Sequence, residues 1–164
     1  MKKCPVCAVL CVVFLMFSAC GVQVRNDFYP ERAFQRAFTL TKDDFSCKGT
    51  VTCSAYDDLT VAFSYPEGLS YFNVRVSAEQ MSAEVGDMSD ALLLEELPED
   101  SPIKLMVNAI RTFVFTNVGF TRCEDGAYAC AAELAGLRVD GFFTADGALR
   151  SVACEENGLY IEFD

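Results

Sequence analysis

The chain of 164 residues contains no histidine. The absence of histidine removes the commonest general base near neutral pH and the usual ligand sets of catalytic zinc. No G-x-S-x-G elbow, Walker loop or G-x-G-x-x-G pattern is present either. We therefore predict that the protein is not an enzyme and that it holds no metal and no cofactor. A serine-lysine pair or a cysteine nucleophile without a recognisable context is left open.

Basic residues are also scarce, with 13 lysines and arginines against 24 acidic residues and a formal net charge of −11. Such a charge repels the phosphates of nucleic acids and anionic lipid headgroups, so we predict no nucleic-acid partner. The densest acidic run, Glu95 to Asp100, lacks the spacing of an EF-hand calcium loop. We interpret these carboxylates as a solvated surface.

The strongest apolar run of the chain lies at its amino terminus. Met1, Lys2 and Lys3 form a short basic head, and the residues from Cys4 to Ala19 carry no charge. This run is shorter than the roughly 20 residues that a membrane-spanning helix needs, and it ends in small residues. The pattern predicts a signal peptide. An uncleaved anchor helix and an ordinary secretion signal that is cut elsewhere are the alternatives.

The end of this run, Phe17-Ser18-Ala19-Cys20, resembles the lipobox of bacterial lipoproteins. The resemblance implies cleavage before Cys20 and acylation of its thiol, with Phe17 at a position where leucine is usual. It predicts a signal peptide at residues 1–19, a lipid-anchored tether at 20–29 and a single domain at 30–164. The expected location is extracytoplasmic, on a bacterial cell membrane that holds the lipid anchor.

Five further cysteines follow Cys20, an odd number that leaves at least one thiol unpaired within the chain. Cys47 and Cys53 lie in one predicted strand, too far apart to bond, and are expected to be buried apolar groups. Cys123 and Cys130 flank a predicted hairpin, and we consider them a possible disulfide. No C-x-x-C pair follows the signal peptide, so the spacing does not indicate a zinc site.

Alternation of apolar and polar residues predicts most of the strands. The clearest case is residues 45–55, where Cys47, Val51 and Cys53 alternate with polar side chains. Short strands joined by turn sequences such as Asp146-Gly147 and Asn157-Gly158 indicate an antiparallel meander. The other predicted strands are 59–65, 72–78, 81–85, 120–123, 127–134, 137–144, 148–155 and 159–163.

Two segments have helical spacing instead. Residues 30–38 place Phe34 and Phe38 on one face behind Pro30, which predicts a short helix. Ser101 and Pro102 begin a second helix. Its apolar stripe is Ile103, Met106, Val107, Ile110 and Val114. We therefore predict an α+β fold, a curved antiparallel sheet that forms an incomplete barrel covered by two amphipathic helices.

The order of these features resembles the bacterial lipoprotein-carrier superfamily. Besides the lipobox and the two helices, the resembling segments are F-S-Y-P-E-G-L at residues 63–69 and D-G-A-L-R-S-V at 146–152. The resemblance implies a half-barrel sheet that is plugged by helices and holds lipid or acyl chains between sheet and helices.

Two functions follow as hypotheses. In the first, a membrane-anchored protein binds or carries a hydrophobic ligand such as a lipid or an acyl chain, between aromatic and aliphatic side chains for which plain core packing is the commoner explanation. These candidate lining residues are Phe63, Phe72, Met106, Ile110, Phe142 and Phe143. In the second, the domain is a lipid-tethered interaction or envelope-sensing module without a cavity, and its partner is another lipoprotein or a regulator. An apolar pocket beneath the helices favours the first hypothesis, and a filled core with an exposed apolar patch favours the second.

Overall fold

The computed structural model describes residues 28–54, 58–77, 80–85 and 88–164. Cys20 and the predicted signal peptide lie outside these residues. Within the described chain the single α-helix, α1, spans Pro102–Phe115. The strands are β1 Phe34–Lys42, β2 Phe45–Cys53, β3 Leu59–Tyr65, β4 Phe72–Ser77, β5 Gln80–Val85, β6 Met88–Leu93, β7 Thr121–Arg122, β8 Tyr128–Leu134, β9 Leu137–Phe143, β10 Leu149–Cys154 and β11 Leu159–Phe163.

All eleven strands belong to one antiparallel sheet, in the order β6-β5-β4-β3-β2-β1-β11-β10-β9-β8-β7. The first strand lies at the centre, because it pairs with β2 on one side and with the last strand, β11, on the other. The two edge strands, β6 and β7, are the ones that flank α1 in the chain. The sheet is therefore open and is not closed into a barrel.

The predicted helix at residues 30–38 is wrong, since residues 34–42 form β1. Phe34 and Phe38 are four residues apart, a spacing that places them on one face of a helix and also on one face of a strand. The buried Leu40 continues the strand period, and Phe34 to Lys42 pair residue by residue with β2. Pairing on both sides of β1 decides the conformation, which is a tertiary effect that local spacing does not contain.

The second predicted helix is confirmed as α1. It begins after Ser101, with Pro102 in its first turn, where a missing N–H is tolerated. The stripe residues Met106, Val107 and Ile110 are fully buried. Against β9 the helix approaches closely at Gly141, where an added Cβ would lie 2.7 Å from a ring carbon of Phe113.

One face of the sheet forms the core together with α1. Buried residues extend from Met81 on β5 to Cys130 on β8, and all of them belong to one hydrophobic cluster. An α-helix is only about 10–12 Å wide, whereas nine strands side by side span about 38 Å when flat. The sheet must therefore curve around the helix to bury these residues together.

The predicted hairpins of the carboxy-terminal half are confirmed. At the β8–β9 turn, Ala135 and Gly136 have φ angles of 53° and 78°, the positive values that a type I′ turn requires. Gly147 and Gly158 also have positive φ at the two later turns. Turn chemistry thus fixes the register of β8 to β11, and with it the face of the sheet that each side chain occupies.

Candidate functional site

An apolar pocket of about 270 Å³ lies between the sheet and the first turn of α1. We call it the Phe63 pocket. It is lined by Leu40, Phe45, Cys47, Phe63, Leu69, Phe72, Ser101, Pro102 and Ile103. Strands β1 to β4 and the turn before β4 supply one side, and the start of α1 supplies the other.

Aromatic rings form the floor of the Phe63 pocket. The ring centroids of Phe63 and Phe72 lie 5.8 Å apart, and the ring of Phe38 meets Phe63 edge-on at 6.0 Å. Phe63 is buried and Phe72 is half-buried. This arrangement offers a water-poor surface of carbon atoms, which suits an alkyl chain and gives a polar ligand few partners.

The chain places the candidate residues Met106 and Ile110 elsewhere. Both are fully buried in the middle of α1, and they do not line the Phe63 pocket. Phe142 and Phe143 are neighbours in β9, so their side chains point to opposite faces of the sheet. Phe143 is fully buried, whereas Phe142 is 40% exposed on the outer face. Of the six predicted lining residues, the structure brings only Phe63 and Phe72 together at the pocket.

Phe143 belongs to an aromatic cluster at the other end of the sheet. The ring of Phe28 stacks on Tyr128 at a centroid distance of 4.0 Å and lies 4.7 Å from the ring of Phe120. Phe120 in turn meets Phe143 edge-on at 5.5 Å. The buried Phe28 thus ties the chain to the core two residues before the predicted domain boundary at residue 30.

A larger cavity of about 560 Å³ lies beside this aromatic cluster. Its lining includes polar side chains, namely those of Arg32, Thr116 and Asn117. A hydrophobic ligand would leave these groups without water, which costs free energy for each polar group that stays unpaired. The smaller Phe63 pocket therefore matches a hydrophobic ligand better than the larger cavity does.

Two lysines bind the acidic segment that precedes α1 and leads into the wall of the Phe63 pocket. The ammonium group of Lys104, which is 5% exposed, donates hydrogen bonds to the carbonyl oxygens of Glu95 and Leu97 and to the carboxylate of Glu99. Lys42 donates to the carbonyl oxygen of Asp100 at 2.9 Å. Sequence reasoning missed both residues. The signal that was available is a lysine inside the apolar stripe of α1, a few residues after the acidic run.

The predicted pairing of Cys123 with Cys130 is not formed. Both residues are free thiols. The backbone N–H of Cys123 donates to the carbonyl oxygen of Ala127, and Cys130 lies opposite Gly141 on the other side of β8. Cys47 and Cys53 are buried in β2, as expected for small apolar groups.

Burial also changes the chemistry of two thiols. Desolvation raises the pKa of Cys130 to about 12 and that of Cys47 to about 11, because a thiolate is disfavoured away from water. A hydrogen bond from the backbone at Gly141 opposes this shift at Cys130. Both thiols therefore stay protonated near neutral pH, and a nucleophilic role is not favoured for them.

Neither a helix of membrane-spanning length nor a cluster of metal-binding side chains occurs in the described part of the chain. No helix there has the length and hydropathy of a membrane span. Residues 28–54, 58–77, 80–85 and 88–164 contain no group of three or more side chains placed to hold a metal ion.

In comparisons with known proteins, no family model matches the chain, and no curated protein matches it significantly.

Proposed function

We propose that this protein is a membrane-anchored extracytoplasmic lipoprotein that binds a hydrophobic chain, such as the acyl chain of a lipid, in the Phe63 pocket. The observation that carries the proposal is the apolar pocket between the curved sheet and the start of α1. An open antiparallel sheet with a helix on its inner face also agrees with the half-barrel architecture that the sequence resemblance implies. The expected role is carriage or sensing of that chain rather than chemistry on it.

The size of the Phe63 pocket limits the ligand. A water molecule occupies about 30 Å³ in the liquid, so a cavity of about 270 Å³ has room for about nine groups of that size, such as methylenes. Burying nine methylenes gains about 7 kcal/mol, and association costs about 4 kcal/mol or more. A short saturated chain without further contacts is therefore expected to bind with a Kd in the millimolar range.

The position of the Phe63 pocket suits an anchored protein. Strand β1 runs from Phe34, near the aromatic cluster of Phe28, to Lys42, near the pocket. Nine residues of strand span about 30 Å. A lipid anchor at Cys20 would thus join the fold at the end of the sheet opposite the pocket, so the pocket would face away from the anchoring membrane.

Binding of decanoic acid, followed by ligand-observed NMR, tests the pocket. Cys47→Phe places an aromatic ring in the Phe63 pocket and is expected to abolish binding. Ser46→Phe is the matched control, because it adds the same side chain at the adjacent position, on the other face of β2, and should leave binding intact. Binding to Cys47→Phe with wild-type affinity, or no binding to the wild-type chain, would contradict the proposal.

The anchor needs a separate experiment. Mass spectrometry of the protein extracted from native membranes should give a chain that begins at Cys20 and carries the mass of acyl groups there. Replacement of Cys20 by serine should release the protein from the membrane fraction. An intact chain that begins at Met1 would remove the anchor from the proposal and leave the pocket unaffected.

An interaction module is the second candidate. The outer face of the sheet carries Phe142 and Tyr160, which are 40% and 44% exposed. Exposed aromatic side chains on adjacent parts of one face are typical of contact surfaces for another protein. Replacing both by serine should abolish partner capture if this face is used, whereas decanoic acid binding should stay unchanged.

A further inference from the structure

The acidic segment between β6 and α1 is held by lysines from two different elements. We call residues 95–100 the strap. Lys104 of α1 binds it through the carbonyl oxygens of Glu95 and Leu97, at 3.3 and 3.0 Å, and through the carboxylate of Glu99 at 2.8 Å. Lys42 of β1 binds its last residue, Asp100, at the carbonyl oxygen and, at 3.6 Å, at the carboxylate.

The strap leads directly into the wall of the Phe63 pocket. Its next residues in the chain, Ser101, Pro102 and Ile103, line the pocket on the helix side. Lys42 is two residues from Leu40, which lines the pocket on the sheet side. The bond between Lys42 and Asp100 therefore joins the two walls of the pocket at one edge.

The sheet wall and the helix wall of the Phe63 pocket differ in the hydrogen bonds that connect them to the rest of the fold. The lining residues of the sheet lie in β1 to β4, and each of these strands is paired on both sides. The strap instead has short-range turn bonds, from Leu97 N–H to the Leu94 carbonyl oxygen and from Ser101 N–H to that of Pro98. Its remaining connections to the fold include Leu97, which packs against the core, and the two lysines, of which the more exposed pair of Lys42 with Asp100 is weakened by salt. Opening at the strap thus breaks fewer bonds than opening between strands.

We propose that Lys42 and Lys104 form a latch that holds the strap closed, and that a ligand enters and leaves the Phe63 pocket when the strap moves. This inference rests on the proposed binding of a hydrophobic chain. It implies that a chain longer than about nine carbons enters only when the strap moves, since the pocket has room for no more with the strap in place.

The association and release rates of a fluorinated probe test the latch. Lys42→Met removes both contacts of Lys42 with Asp100 at the edge of the pocket and keeps an unbranched side chain of similar length. With 10,10,10-trifluorodecanoic acid and ¹⁹F NMR line shapes, we expect association and release to become about tenfold faster, the loss expected for one charged hydrogen bond. The Kd should stay within about twofold, because a gate changes both rates by the same factor. Lys48→Met, which removes an exposed lysine of β2, is the control and should leave both rates unchanged.

Unchanged rates in Lys42→Met, or equal changes in both variants, would overturn the latch. A weaker Kd without faster association would also overturn it, because that result indicates a damaged pocket and not a faster gate.

Hydrogen exchange of the ligand-free protein separates the latch from the binding function. In Lys42→Met, the amide hydrogens of Leu97 and Ser101, which donate the turn bonds of the strap, should exchange about tenfold faster, whereas those of Leu69 and Ser70, in the other loop at the pocket, should not change. Faster exchange only at Leu69 and Ser70 would contradict the latch. If the wild-type chain binds no probe, the proposed function fails and the gate fails with it. Normal probe binding with unchanged exchange removes the latch alone.

Discussion

Replacing Gly141 by alanine perturbs the contact that seats α1 on the sheet. A Cβ at this position would lie 2.7 and 2.8 Å from two ring carbons of Phe113 and 3.0 Å from the sulfur of Cys130. Phe113 is fully buried, so its ring cannot turn toward solvent to avoid the new methyl group. The helix has to move outward, or the ring has to leave its rotamer. Overpacking of this kind costs about 1–3 kcal/mol of unfolding free energy.

Urea unfolding followed by far-UV circular dichroism measures this loss, since the chain contains no tryptophan for fluorescence. Each kcal/mol lost should lower the Tm by about 4 °C in a domain of this size. Gly119→Ala is the matched control, because a Cβ added there would meet no other atom within 4 Å. Its unfolding free energy should stay within about 0.5 kcal/mol of the wild-type value.

A double mutant tests whether the ring of Phe113 causes the loss of stability in Gly141→Ala. If the ring of Phe113 is the obstacle, Gly141→Ala should cost at least about 1 kcal/mol less in a Phe113→Leu background than in the wild-type background. Equal costs in the two backgrounds would refute the steric explanation. If Gly141→Ala is as stable as Gly119→Ala, then α1 does not pack against β9 as closely as the distances to Phe113 indicate.

Three further predictions use the same unfolding assay. Lys104→Met should lower the unfolding free energy by about 1–3 kcal/mol, because it removes the hydrogen bonds that the buried ammonium group donates to Glu95, Leu97 and Glu99. Phe143→Ala should cost about 3–5 kcal/mol, whereas Phe142→Ala on the outer face should cost less than about 1 kcal/mol. Because the folded state keeps the Cys130 and Cys47 thiols protonated above their ordinary pKa of 9.0, their stabilisation is complete below about pH 9 and is lost as the pH rises toward 12. Cys130→Ala should reduce that slope by about 1.4 kcal/mol per pH unit.

The strands of the carboxy-terminal half could be predicted from the sequence almost completely. Their turns contain Asp-Gly, Asn-Gly and Ala-Gly pairs, and glycine at positive φ fixes where each hairpin reverses. Once a turn is fixed, the alternation of apolar residues assigns the faces, as for Leu159, Ile161 and Phe163, which are all buried. Local chemistry is sufficient for this part because neighbouring strands in the chain are also neighbours in the sheet.

Two strands could not be predicted for different reasons. Strand β1 has the spacing of both a strand and a helix at Phe34 and Phe38, and its central place depends on pairing with β11, more than 100 residues later in the chain. Strand β6, Met88–Leu93, contains Ser89 and Asp90 between apolar residues and has no clear period of two. In both cases the partner strands decide the structure, and a local pattern does not contain them.

The residues of the candidate site could be predicted only in part, because they are set by which side chains meet across the fold. Phe63 and Phe72 could be assigned to the inner face from strand alternation, and both line the pocket. Met106 and Ile110 lie on the buried face of α1, as the apolar stripe predicts, but they do not line the pocket. Separating a core residue from a lining residue requires the position of the helix along the strands. The sequence pattern gives the face of an element and does not give that position.

The location of the pocket follows from a mismatch of lengths between the helix and the strands. Strands β1 and β2 have nine residues each, about 30 Å, whereas the 14 residues of α1 span about 21 Å. A helix this short cannot fill the inner face along its whole length, so space remains at the ends of the strands. At one end, Phe28 and Phe120 place aromatic rings in this space, beside the larger and more polar cavity. At the other end only the first turn of α1 covers the sheet, and the Phe63 pocket is the space that remains. The position where α1 starts therefore sets the size of the pocket.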